Sequence, residues 1–144
     1  MAAVAPNRGN HGSMAVTYDI SVRAEPCYDA QQSVPEESKF LFRYSITIDN
    51  GSRHTVQLLT RSWLIIDGGG EEHRVDGDGV VGLQPILKAG ETFEYSSFCP
   101  LRKRWGTMEG SFTMRREDGT MAVVRVGRFY LVQPESVAAG KELG

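Results

Sequence analysis

The pattern that most invites a chemical reading is Gly77-Asp78-Gly79-Val80-Val81-Gly82, a formal GxGxxG. In a dinucleotide-binding fold such glycines turn a strand tightly into a helix whose N-terminus holds a pyrophosphate. Here that helix has no room. Leu83-Gln84-Pro85-Ile86-Leu87-Lys88-Ala89-Gly90 comes next, and Pro85 and Gly90 bound too short a stretch. The residues read instead as a loop between strands whose glycines supply positive φ. Even without a helix, backbone amides around Gly77, Gly79 and Gly82 could form a small anion-binding nest.

Arg102-Lys103-Arg104, followed by Trp105, is the only basic cluster. Guanidinium and ammonium groups hold phosphates, and an indole stacks on flat partners. The same run also reads as a solvated loop between strands. One expectation is therefore phosphate, pyrophosphate or nucleotide binding by Gly77, Gly79 and Gly82, with Arg102, Lys103 and Arg104 supplying charge. A protein partner with an acidic face is the other. In Arg61-Ser62-Trp63, the large ring of Trp63 belongs in the core. Arg61 is expected to flank it on the neighbouring face, paired with a carboxylate. Arg61 and Trp105 are candidates for an exposed interaction face.

No catalytic constellation is legible. Ser96, Ser97 and Cys99 lie together, but no histidine is placed by sequence to activate them. Asp49, Asp67, Glu117 and Asp118 fall in turns, where bonding to the backbone already accounts for them. Cys27 and Cys99 are the two cysteines, and His11, His54 and His73 are scattered. Neither set shows zinc spacing, so no metal site and no cofactor is expected, and the cysteines read as free thiols of a reducing compartment.

These side chains need elements to position them, and the dominant period is two. Tyr18, Ile20, Val22 and Ala24 alternate with Asp19, Ser21, Arg23 and Glu25. Phe40, Phe42, Tyr44, Ile46 and Ile48 alternate with more polar neighbours, which gives a strand one core face and one wetter face. Thr92–Phe98 reads as another strand, with Phe93 and Tyr95 sharing a face. Asp49-Asn50-Gly51, Asp67-Gly68-Gly69-Gly70 and Asp118-Gly119 are turn signals, the last joining Met108–Arg116 to Thr120–Leu131 as a hairpin. Ala30–Ser38 reads as a loop, and no stretch reads as a helix. Seven to nine strands, with turns roughly every ten residues, predict an all-β sandwich or barrel.

The chain of 144 residues suits one domain with a real core. Residues 1–15 and 134–144 lack pattern and are expected to be flexible tails around a domain spanning 16–133. Gly12-Ser13-Met14 also looks like a cloning scar. A formal net charge of -2 argues against a duplex-binding surface, so no nucleic acid is expected. The apolar runs are too short for a membrane span and no secretory signal precedes them, so the expected location is cytoplasmic.

Several stretches together resemble the ApaG (CorD) family. The most specific is Val75-Asp76-Gly77-Asp78-Gly79-Val80-Val81-Gly82-Leu83-Gln84-Pro85, followed by Ala89-Gly90-Glu91-Thr92-Phe93-Glu94-Tyr95-Ser96-Ser97. Arg61–Asp67, Phe42–Asn50 and Gly106–Phe112 match further family strands in the right order. The resemblance runs from about Tyr18 to Leu131. It implies a fibronectin-III/immunoglobulin-like β-sandwich of two antiparallel sheets. It also implies a family whose bacterial members are associated with cobalt and magnesium tolerance, and whose eukaryotic members look like protein-interaction modules. Leu83 stands where the family usually has an acidic residue, and Arg102-Lys103-Arg104-Trp105 replaces a Thr-Pro-containing loop. No carboxylate-rich loop offers a hard cation a cage. The resulting expectation is a non-catalytic module that binds a protein partner, or a second copy of itself, through loops or a sheet edge.

Overall fold

A computed structural model describes residues 11–135. Nine strands form in order: β1 (Ser13–Thr17), β2 (Ile20–Tyr28), β3 (Phe40–Asn50), β4 (Val56–Asp67), β5 (Glu72–Asp78), β6 (Ile86–Leu87), β7 (Thr92–Leu101), β8 (Trp105–Arg116) and β9 (Met121–Val132). They pair throughout as antiparallel neighbours. One sheet has the order β1-β2-β3-β7, and the other has β5-β4-β8-β9 with β6 also on β4. The sandwich of two antiparallel sheets expected from the sequence is what forms.

Alternation dictates the core. Phe42, Tyr44, Ile46 and Ile48 of β3 point inward, as do Ile20, Val22 and Ala24 of β2. Phe112 and Met114 of β8 and Val124, Val126, Phe129 and Leu131 of β9 meet them from the other sheet. Trp63 is the hub: its ring stands edge-on to Tyr44 at 5.7 Å, Phe112 at 5.9 Å and Phe129 at 6.1 Å. Such T-shaped pairs add to the large apolar area that the rings remove from water.

The structure corrects three readings. Residues 13–15, expected in a flexible tail, lie in β1, where Ser13 pairs with Ala24 and its hydroxyl donates to the Gly127 carbonyl at 2.8 Å. Pairing satisfies backbone groups that a flexible tail would leave to water. The rest of the two expected tails, outside residues 11–135, lies beyond the described residues. Tyr18 does not share the inner face of β2. With Asp19 it forms the two-residue turn between β1 and β2, at φ 52 and 65. Finally, the expected loop Ala30–Ser38 contains one 3-10 turn, Pro35–Glu37.

Candidate functional site

The two sheets are closed along one side and open along the other. On the closed side β1 and β2 both pack on β9. On the open side the terminal strands are β7 and β5, each with one unpaired edge. β5 is exposed along almost its whole length. Between them lies a cleft of about 670 Å³, a size typical of ligand sites. Tyr44 and Ser97 line it from one sheet, and Arg61, Trp63, Ile65 and Val75 from the other.

Arg61 is the central polar group. It shares the inner face of β4 with Trp63 and Ile65, two and four residues on, and does not sit on the neighbouring face as expected. A register shift between Leu58 and Thr60 lies just before it. One extra residue there moves the inner row from Val56 and Leu58 to the odd-numbered positions. Its partners also differ from the expected carboxylate: Nη1 donates to the carbonyls of Asp78 at 2.9 Å and Gly79 at 3.0 Å. The guanidinium lies across Gly77, its cross-strand partner, where a Cβ would come within 2.9 Å of both terminal nitrogens. Gly77 is thus a glycine because a side chain must pass over it.

Beside Arg61 the inner face of β7 carries Tyr95, Ser97 and Cys99. Burial raises the Tyr44 hydroxyl above its ordinary pKa, partly offset by a hydrogen bond with Ser97. Burial raises Tyr95 further, and the charges of Tyr44 and Arg61 both act on it. Its hydroxyl is buried without a hydrogen-bond partner. Burial also pushes the Cys99 thiol up to about 12, so it is no thiolate at neutral pH. Cys27 is exposed and points out of the same sheet, with β3 between the two cysteines, so both remain free.

At the far end of the cleft, Asp67, Glu71 and His73 each bring one potential ligand atom within 4.8 Å of the others. No linear spacing announced this group, because a hairpin folds His73 back beside Ile65, two residues before Asp67. The Asp67 carboxyl is held below the usual carboxylate range, chiefly by accepting the Glu71 amide, with the Gly69 amide, His73 and Lys103 adding to the effect. Asp67 Oδ2 faces His73 Nε2 at 4.0 Å. These three are the residues that could hold a divalent cation, although one Asp67 oxygen is already committed to two amides, at 2.8 and 3.1 Å.

The remaining sequence candidates do not converge. Gly77 lies within β5, one residue before its end, while Gly79 and Gly82, at φ 63 and 80, shape the loop that follows. Val80 and Leu83 exchange both backbone hydrogen bonds at 2.8 Å, and the Gly79 amide donates to Leu59 at 2.8 Å. Most amides that a nest would offer an anion are therefore spent within the protein. Arg102 lines the cleft, Lys103 lies over Gly69, and the Arg104 carbonyl accepts the Gln133 amide at 3.0 Å. The glycine loop adjoins Arg61 and the basic run adjoins Asp67. Arg61 and Asp67 are six steps apart along β4, or about 20 Å, so the two motifs do not build one phosphate site. Nor do Arg61 and Trp105 form one interaction face. Arg61 lines the cleft, whereas Trp105 is exposed at the start of β8 and covers Gly68. Tyr44 and Ser97 were missed as lining residues, and Tyr95 as the buried residue beside Ser97 on the inner face of β7. The signal available was that every second residue of β7 faces inward, and two of those carry hydroxyls.

The geometry can be set beside known proteins. Residues 30–116 match the family model of the ApaG domain. Protein ApaG of Brucella abortus strain S19 is 45% identical over 121 residues, covering 84% of this chain and 93% of that protein. Protein ApaG of Sinorhizobium fredii is 44% identical over 120 residues, covering 83% and 92% respectively. A crystal structure from Bordetella pertussis, described as an ApaA protein, has a TM-score of 0.79 and 39% identity, and covers 85% of this chain and 99% of that one. The chain belongs to the ApaG domain family.

Proposed function

We propose that the protein is a non-catalytic, cytoplasmic binding module that receives a protein partner at the cleft between β5 and β7. The observation that carries this reading is the pairing of an open cleft with an unpaired strand edge on each side. Such an edge offers a partner strand a row of backbone donors and acceptors, while the cleft takes alternate side chains. Among the described residues, neither Ser97 nor Cys99 in the cleft is set up as a nucleophile, which supports a binding role. Cys99 is a buried neutral thiol, and the Ser97 hydroxyl is hydrogen-bonded to Tyr44. No helix among the described residues is long and apolar enough to cross a membrane. Any part in cobalt or magnesium tolerance then runs through the partner, not through ion binding as such.

The test is affinity capture from native lysate with the wild-type chain and with Val75→Glu. Val75 is partly exposed on β5 and lines the cleft, so the variant adds charge at the binding wall while leaving the core intact. A reproducible partner that Val75→Glu fails to retain is expected. Recovery of no partner, with the protein monomeric at high concentration, overturns the reading. So does a partner held equally well by the variant.

A further inference from the structure

The inner end of the cleft brings a guanidinium and hydroxyl groups together. Arg61 is half-buried, and its Nη1 is tied to two carbonyls that fix the plane of the guanidinium. Among the described residues no carboxylate pairs with it. Tyr95 is only 8% exposed and its hydroxyl has no partner. A buried hydroxyl left unpaired costs free energy and calls for an explanation. Tyr44 and Ser97 add two more hydroxyls beside them, opposite each other in the β3–β7 register. A half-buried cation with a free hydrogen-bonding edge, next to an orphaned donor, is complementary to an anion.

The charge and the walls narrow the class. One guanidinium, partly shared with carbonyls, balances about one negative charge. The neighbouring surfaces are Trp63, Ile65, Val75 and Met108, which suit hydrocarbon. We infer that this end of the cleft binds a carboxylate carried on an apolar or peptide body, with Arg61 forming the charged contact and Tyr95 the buried hydrogen bond. A chain terminus and a free carboxylic acid share this chemistry. The inference rests on the cleft being the partner site, and it names the group the partner inserts.

The experiment follows amide and Arg61 Nε signals by NMR of the full chain during titration. The probes are 3-phenylpropionate, its uncharged amide, a short peptide ending in Phe with free or amidated C-terminus, inorganic phosphate and pyrophosphate. Saturable shifts at Tyr95–Cys99 and Arg61 are expected with the two free acids and not with their amides. Tighter binding of the peptide acid identifies a chain terminus as the source, and tighter binding of 3-phenylpropionate identifies a free acid. Tyr95→Phe is expected to weaken binding about tenfold while raising the melting temperature, a combination that a merely structural tyrosine would not give. Arg61→Lys keeps the charge, loses the planar fork and is expected to weaken binding at least as much. Because Arg61 also holds the glycine loop, Tyr95→Phe keeps the test decisive should Arg61→Lys unfold.

Three outcomes overturn the inference: no saturable shift in the cleft at millimolar acid, unchanged affinity in Tyr95→Phe, or binding of phosphate or pyrophosphate where the carboxylates fail. A partner lost in Val75→Glu with no carboxylate titration overturns this inference alone and leaves the binding reading standing. A partner indifferent to Val75→Glu removes both.

Discussion

Tyr95 and Cys99 stand four residues apart on the inner face of β7, and burial acts on both by disfavouring their charged forms. For Cys99 the consequence is chemical silence. A thiol pushed up to about 12 contains almost no thiolate at neutral pH, and it is only 3% exposed. Cys27, on the outer side of β2, has no such shield. A thiol reagent at neutral pH is therefore expected to titrate one cysteine in the native protein and two in denaturant. Peptide mapping should place the native label at Cys27, and rapid native labelling at Cys99 would show that the cleft opens to its floor. The sequence suggested free thiols but not this division of them. Which cysteine faces the core depends on strand parity: Cys27 continues the outward row of Arg23 and Glu25 on β2, whereas Cys99 continues the inward row of Tyr95 and Ser97 on β7.

The elements were legible wherever one face of a strand is apolar without interruption. β3 is the clearest case, with Phe42, Tyr44, Ile46 and Ile48 all buried at the positions its alternation indicates. β4 was harder, because the irregularity between Leu58 and Thr60 shifts its inner row by one. A bulge leaves no compositional mark, and this one decides that Arg61 faces the cleft. The short β1 was missed because it gains its pairing from β2 and its packing from β9, neither of which is local. The glycine loop hides a third feature. Val80 and Leu83 close a two-residue hairpin turn in which Val81 takes φ 42 and Gly82 takes φ 80. Glycine is suited to this geometry, whereas a β-branched valine is strained there by about 1 kcal/mol or more. Val81 is 53% exposed and contributes little to the core. Val81→Asn creates the Asn-Gly pair that such turns favour. It is expected to raise stability by about 1 kcal/mol, seen as a higher urea midpoint with unchanged slope. A lower midpoint would mean that the loop draws on the valine side chain, and would move attention to its exposed neighbours Leu83 and Ile86.

Across the whole molecule, the hairpin ends are fastened by carboxylates, which ties stability to pH. Asp67 accepts the Glu71 and Gly69 amides between β4 and β5. Asp118 accepts the Thr120 hydroxyl at 2.6 Å and its amide at 2.9 Å between β8 and β9. Glu117 accepts the Thr55 amide at 2.9 Å and reaches His54 Nδ1 at 3.2 Å, linking that hairpin to the start of β4. All three carboxyls are held below their ordinary pKa values. The leading cause is the Glu71 amide for Asp67, the Thr120 hydroxyl for Asp118 and its own backbone amide for Glu117. The unfolded chain therefore binds protons more readily at these sites than the native one. Their contribution is complete above the unfolded carboxylate range of about 4, and it is lost as pH falls through the lower native values. Urea midpoints measured from neutral to strongly acidic pH are expected to hold level and then drop, beginning near the unfolded range. The combined variant Asp67→Asn, Glu117→Gln, Asp118→Asn should start from a lower midpoint at neutral pH and show a shallower acid fall. These groups sit at opposite ends of β4 in the five-stranded sheet, with Asp67 at its last residue and Glu117 bonded to Thr55, just before its first. Asp67→Asn should consequently add to Glu117→Gln or to Asp118→Asn, whereas Glu117 and Asp118, neighbours that share His54, are expected to couple; strong non-additivity with Asp67 would mean that the sheet transmits the loss of one fastening to the other.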